Sequence, residues 1–400
     1  MVAIDVLFIL LFIWLAIMVV YGLTFSVAGK AGNLPEYPLA PYNKKFAVFI
    51  PSYKEDEVIL HSAANALQQT YPREDYDVVV IADSLKPETV DKLKSMPIKV
   101  IEVSFELSTK ARSLNKALAL LPEVYDYALI LDADNLMEKK FLQKMNNAIC
   151  YSGAWAVQAH RVAKNQNTHF AVLDAISEEV NNHIYRKGHR MLGFSSGLIG
   201  SGMAFEYDYF KETMLTIDAI GGFDKELEVK LNRDKVKIHY LENAMVYDEK
   251  VENPEVFKNQ RRRWMSAQII FLKKYFIEGL THFVSKGNFD FFNKVFQFTL
   301  LPRIMLLFTV VGLGVLAFLL NIIFGYAMAP GTGFWLSLAG LNLLSIMLAI
   351  PDKFYNKKTF RAAMHVPKAV SLMFLNLLNL KGADKKFIHT PHSGSSDSEI

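Results

Sequence analysis

Residues 127–134 read Tyr-Ala-Leu-Ile-Leu-Asp-Ala-Asp, five apolar side chains that run into two acids one residue apart. A short apolar run closed by polar residues reads as a strand buried on both faces. Upstream, residues 109–121 (TKARSLNKALALL) carry helical periodicity, and Lys99 to Phe105 form a strand preceded by a helix that Pro87 opens. Asp77 to Asp83 (DVVVIAD) is another strand, residues 57–69 (EVILHSAANALQQ) a helix, and Phe46 to Ile50 (FAVFI) a first strand stopped by Pro51. Alternation at this pace predicts an α/β domain built on a parallel sheet covered on both faces. Ligands of such sheets bind at the carboxyl ends of the strands. Those ends are polar here: Ser52-Tyr53-Lys54-Glu55, Asp83, and Asp132-Ala133-Asp134.

The 400 residues are 52% hydrophobic and 21% charged. The first figure excludes disorder and the second a chain wholly embedded in a membrane. The apolar excess is concentrated in residues 4–27, where Asp5 is the only charge, and in residues 304–324 and 334–350, which have none. About 20 apolar residues cross a hydrocarbon core of roughly 30 Å, so one N-terminal and two C-terminal transmembrane helices are predicted. The first segment lacks the basic start and small-residue cleavage site of a signal peptide. No Lys or Arg precedes Lys30, and none lies between Arg303 and Lys353. The positive-inside rule then puts the large middle segment and the C-terminus in the cytoplasm and the N-terminus outside, in a multi-pass protein of the inner (plasma) membrane. A net charge of +4 gives no support for a nucleic-acid partner. Cys150 is the single cysteine, so no intramolecular disulfide forms, and it reads as a core residue.

Residues 265–303 and 351–381 mix aromatics with Lys at helical spacing and read as amphipathic helices lying in the membrane interface. The expected organisation is a transmembrane helix (1–28), a linker (29–44), the α/β domain (45–264), interfacial helices (265–303), a transmembrane hairpin (304–350), an interfacial helix (351–381) and a polar tail (382–400).

Two aspartates one residue apart at a strand end suit a hard divalent cation whose shell a substrate diphosphate completes. Asp75-Tyr76-Asp77 has the same spacing without that setting. In Gln260-Arg261-Arg262-Arg263-Trp264, composition alone leaves open a lipid-headgroup patch or an Arg on a phosphate with Trp264 stacked on a sugar or base. His160, His169, His183 and His189 lack metal-ligand spacing and read as surface or hydrogen-bonded core residues.

In chain order the motifs are Pro51 to Glu55, Asp83, Asp132-Ala133-Asp134, Gly222-Phe223-Asp224 and the 260–264 run. This series resembles the family 2 glycosyltransferases with a GT-A, Rossmann-like catalytic domain, in the membrane branch of cellulose, chitin and hyaluronan synthases. The resemblance implies that Pro51, Tyr53, Glu55 and Asp83 line a nucleobase pocket, that Lys110 and Arg263 hold the diphosphate, and that Asp132 contacts the nucleotide. It implies that Asp134 ligates Mg²⁺ or Mn²⁺ and that Asp224 is the catalytic base. Gly200, Ser201, Gly202, Gln260 and Trp264 would meet the acceptor, and Phe387, Thr390 and His392 (with His389) would form a gating loop over the nucleotide. The family commonly places Glu before its base, where this chain has Phe223; Glu226 and Glu228 are the alternatives, and the register ending KIHYLENAMVYDE (237–249) favours Asp224. The implied activity is inverting transfer from a UDP-sugar to a glycan, giving a β-linked polysaccharide, with a homo-oligomer as an option for export. The alternative is transfer of a single sugar to a membrane lipid, and a third reading is a non-catalytic membrane scaffold.

Overall fold

The computed structural model describes residues 2–374 apart from 123, 220, 368, 369 and 372. The expected gating segment with Phe387, Thr390 and His392 lies outside the described residues. The chain opens on α1 (Val2–Ala31), then alternates β1 (Phe46–Tyr53), α2 (Ile59–Ala66), β2 (Tyr76–Asp83), α3 (Pro87–Lys94), β3 (Lys99–Val103), α4 (Lys110–Leu120) and β4 (Tyr127–Ile130). β1 shows why these strands are apolar throughout. Phe46, Val48 and Ile50 join the core on one face, while Ala47 and Phe49 join the core on the other, as a period of two requires when both faces are covered.

Beyond β4 come β5 (Leu136–Met137), α5 (Phe141–Ser152), β6 (Ala156–Ala163) and α6 (His169–Asn181). The last continues through a π-helical stretch, Asn182–Gly188, into α7 (His189–Met191). β7 (Met203–Glu206), α8 (Tyr207–Leu215), α9 (Phe223–Arg233) and β8 (Ile238–Asp248) complete the domain. The sheet runs β3-β2-β1-β4-β7-β6-β8-β5 and is mixed, which corrects the expectation of a parallel sheet. β3, β2, β1 and β4 are parallel, but β7 is antiparallel to both β4 and β6, and β5 to β8. The reason is local. Gly202 N donates to Ile130 O at the carboxyl end of β4, so the chain enters β7 from that end and must run back along its neighbour.

α10 (Pro254–Lys286), α11 (Phe289–Gln297), α12 (Arg303–Phe324), α13 (Thr332–Ala349) and α14 (Lys357–Ala363) follow. α10 passes unbroken through residue 264, where a domain boundary was expected. It packs with α11 on α9 through Phe271, Tyr275, Phe291, Val295 and Val229. Among the described residues three helices, α1, α12 and α13, are long and apolar enough to cross a membrane. They close on one another around Leu15, Met18, Val310, Leu338 and the fully buried Trp335, with Phe12 edge-on to Trp335 at 5.0 Å. Asp5 accepts a hydrogen bond from Tyr326 Oη at 2.6 Å. At the other end of the bundle Lys30 lies 3.7 Å from Asp352, Lys353 pairs with Glu179 at 2.7 Å, and Arg303 donates to Asn181 Oδ1 at 2.8 Å. The basic residues that flank the three helices therefore all lie on the side of the α/β domain.

Candidate active site

The acidic motifs sit where strands of the parallel half end. Tyr53 lies opposite Asp83 in the β1–β2 register, and Lys54 N donates to Asp83 O at 3.1 Å. Both strands then turn sharply, with Lys54 and Ser84 each at φ 58°. Such backbone costs about 1–3 kcal/mol and gathers at functional sites. Asp83 is 1% exposed. Its Oδ1 accepts from Ser84 Oγ at 3.0 Å, while Oδ2 is buried with no hydrogen-bond partner among the described residues. A buried carboxylate oxygen in that state calls for a donor that the described residues do not supply. Pro51, Tyr53 and Glu55 are half-buried beside it.

Lys110 is the first residue of α4, whose cap is the Thr109 side chain. Its Nζ pairs with Asp132, donates to Gly200 O at 2.7 Å and lies 5.1 Å over the ring of Phe223. The Phe in place of the expected Glu is thus a buried floor under the lysine. Gly200 has φ 90°, and a Cβ there would stand 3.8 Å from the Asp224 carboxyl group. Lys110, Asp132, Gly200 and Asp224 therefore meet at one edge of the sheet.

The alternative carboxylates on α9 are otherwise engaged. Glu226 is bound by Lys274 at 2.6 Å and Tyr275 Oη at 3.0 Å. Glu228 accepts from Leu198 N at 3.1 Å and pairs with the buried Lys294 at 2.7 Å. Asp224, half-buried in the first turn, is drawn into no ion pair among the described residues.

Asp134 is buried. Asn135 Nδ2 donates to its Oδ1 at 3.2 Å and Glu249 N to its Oδ2 at 3.3 Å. Among the described residues no three His, Cys, Asp or Glu side chains assemble a metal cage. The oxygen donors at Asp134 suit a hard cation that shares its shell with phosphate oxygens, the arrangement typical of Mg²⁺.

The 260–264 motif lies on α10, the helix that packs beside α9. Ala267 lies 3.6 Å from a Cβ placed on Gly222, and Gln260, Arg263 and Trp264 occupy the preceding turns of α10 on that side. Burial holds the Arg263 guanidinium below its ordinary range. Arg261 stacks on Trp264 at 4.4 Å and on Phe257 at 4.8 Å and donates to Asp174 at 2.6 Å. Gln260 Oε1 is buried without a partner among the described residues.

Sequence reasoning missed a buried ionic group directly behind Asp134. Asp248 accepts from Asn135 Nδ2 at 3.1 Å and from Lys250 Nζ at 2.6 Å. Arg161 donates to Glu178 at 2.7 Å and lies 3.6 Å from Asp248. Burial alone would raise Glu178, but Arg161 and Lys250 overcome it and bring its pKa down to about 2. Asp248 is likewise held below the carboxylate range, chiefly by Arg161 and Lys250 against the opposing effect of burial. The available signal was Asp248 and Lys250 at the end of an apolar strand. The histidines serve structure as expected: His160 bonds Glu179 at 2.9 Å and His183 bonds Ser26 O at 2.9 Å.

The structure is similar to that of the mannosyltransferase PcManGT from Pyrobaculum calidifontis in complex with GDP-Man and Mn²⁺, with a TM-score of 0.52 at 15% identity over 94% of this chain and 96% of that one. That likeness establishes the fold, a GT-A Rossmann-like domain with apolar helices at both ends. No curated protein matches the chain by sequence. The model of the glycosyltransferase like family 2 matches residues 43–267, which take in every strand of the sheet and the 260–264 motif. More than half of the chain lies within that match, and the chain belongs to the glycosyltransferase like family 2.

Proposed function

We propose that this chain is a membrane-bound inverting glycosyltransferase that moves a sugar from a nucleoside diphosphate sugar to an acceptor held at the bilayer. The observation that carries the reading is the meeting of Lys110, Asp132, Gly200 and Asp224 at the carboxyl edge of the sheet. Asp83, Pro51, Tyr53 and Glu55 receive the nucleobase and ribose, and Lys110 and Arg263 face the diphosphate. Asp134 would hold Mg²⁺ or Mn²⁺, which when bound would supply positive charge to the leaving diphosphate. An alcohol is a poor nucleophile at neutral pH, so Asp224 accepts its proton as the oxygen bonds to the anomeric carbon and the phosphate oxygen departs. General-base assistance of this kind is worth about 10²–10⁴-fold. One displacement inverts the centre, so an α-linked donor gives a β-linked product.

The donor proposed is a UDP-sugar, with GDP-mannose, bound by the structural neighbour, as the competing choice. For the acceptor, the membrane bundle favours a single transfer to a lipid. Among the described residues its three helices are packed on one another around Trp335, few to enclose a channel for a polymer. Polysaccharide synthesis in the cellulose, chitin or hyaluronan manner would need several copies to enclose a channel. The test is release of nucleoside diphosphate by detergent-purified protein, offered UDP-sugars and GDP-mannose with Mg²⁺ or Mn²⁺. Metal-dependent release with one donor is expected, and one added sugar per lipid supports the lipid reading. No release from any donor, in the presence of lipid extract, overturns the enzyme.

A further inference from the structure

Besides Lys110, which bridges Asp132 and Gly200 O, a buried pair of side chains joins the Asp132–Asp134 turn to the Gly200–Gly202 loop. Ser201 is fully buried. Its Oγ donates to Asn135 Oδ1 and accepts from Asp132 N at 3.0 Å. Asn135 is 1% exposed, and its Nδ2 is shared between Asp134 Oδ1 at 3.2 Å and Asp248 Oδ1 at 3.1 Å. Chemistry fixes which way this amide points. Two carboxylates need donors, so the NH₂ group faces them, and the carbonyl oxygen is left for the hydroxyl. The single Ser201 proton is committed inward, away from an acceptor sugar. Asn135 also stands as the donor between two carboxylates that would otherwise face each other.

We propose that Asn135 and Ser201 are positioning residues. Together they form a strut that orients Asp134 toward its cation and fixes that turn at a set spacing from Gly200 and Asp224. The proposal rests on the roles given to Asp134 and Asp224 above. It assigns Ser201 to the donor side of the site through Asn135, and leaves Gly200 as the part of the loop that faces Asp224.

The test is Mn²⁺ binding, followed by electron paramagnetic resonance in the presence of nucleoside diphosphate, for the detergent-solubilised wild type, Ser201→Ala, Asn135→Ala and the double variant. Turnover, apparent KM for metal and melting temperature are measured alongside. Outer partners of metal ligands commonly change affinity 10–100-fold, and each single variant is expected to bind Mn²⁺ at least tenfold more weakly than wild type. The double variant should lose no more than the weaker single variant, because both remove one strut. Variants that keep wild-type Mn²⁺ affinity overturn the strut even where they melt earlier, since a packing role moves only the melting curve. Wild-type protein that takes up no Mn²⁺ with any nucleotide overturns the cation role of Asp134, and the strut with it. Ser201→Ala is the smaller change and decides the matter where Asn135→Ala does not fold.

Discussion

Asp224 and Glu228 stand one helical turn apart on α9, yet their surroundings assign them opposite work. Glu228 is locked to Lys294, and both are buried; burial lowers the pKa of that lysine. Glu228→Gln strands the lysine charge and should destabilise the protein by about 3–5 kcal/mol, seen as a lower melting temperature. Asp224→Asn should leave melting unchanged and cut turnover by about 10²–10⁴-fold with donor KM retained, read by nucleotide release. Acid stability is set by other residues. Burial pushes His189 down to about 3 from 6.5, so the unfolded chain takes up a proton that the folded one refuses, and stability falls as pH drops below about 6.5. Glu178 and Glu179 are both brought down to about 2 from 4.5, and their contribution is present above 4.5 and lost as pH falls toward 2. Burial also pushes His183 down and His239 to about 4, so melting temperature should decline gently from pH 6.5 and steeply below 4.5, and His189→Gln should remove only part of the upper decline. Asp83, Asp132 and Asp134 were legible one by one, because acids that close apolar strands are unusual, whereas Lys110, Gly200, Asp224 and Arg263 entered only through the family resemblance. The buried ions were not: Arg161, Glu178 and Lys250 look like surface residues until the fold pairs them.

Among the elements, β2, β3 and α4 lie within two residues of where periodicity puts them, since each pattern is local, whereas β1 runs three residues past its expected stop, through Pro51 to Tyr53. β4 stops at Ile130, four residues early, because the chain leaves the ladder at the acidic turn. The antiparallel return of β7 could not be read, since it depends on a loop packed 70 residues from its partner strand in sequence. The π-helical stretch 182–188 was equally hidden, and it seats α1 on the domain. A Cβ on Gly188 would fall 2.2 Å from the backbone oxygen of Phe25, and His189 stacks on the Phe25 ring at 3.7 Å. Gly188→Ala must push α1 away, because backbone has no side-chain rotamer with which to yield. A destabilisation of about 1–3 kcal/mol is expected, together with reduced turnover, because Tyr185 O and Arg186 Nε in the same stretch hold Gly197 at 3.0 and 3.2 Å. Thermal melting and nucleotide release measured on one preparation check both effects.

For the whole molecule, Lys30, Arg303 and Lys353 lie on the domain side of the bundle, and the Ala329–Gly331 turn lies at the far end with Asp5 and Tyr326. In the orientation expected from the positive-inside rule, a cysteine placed at exposed Ala327 in the same loop should react with a membrane-impermeant maleimide in intact cells, in a Cys150→Ser background. A cysteine at exposed Leu215 should react only after lysis, and the reverse pattern would invert the topology. The seating of α1 on residues 182–188 has a further consequence. Gly188 against Phe25 and Lys353 tied to Glu179 brace the helix bundle to the α/β domain at two points. On the proposed function this brace acts as a depth stop: an acceptor hydroxyl carried at the level of the site should be glycosylated, and one carried higher or lower should go past unaltered.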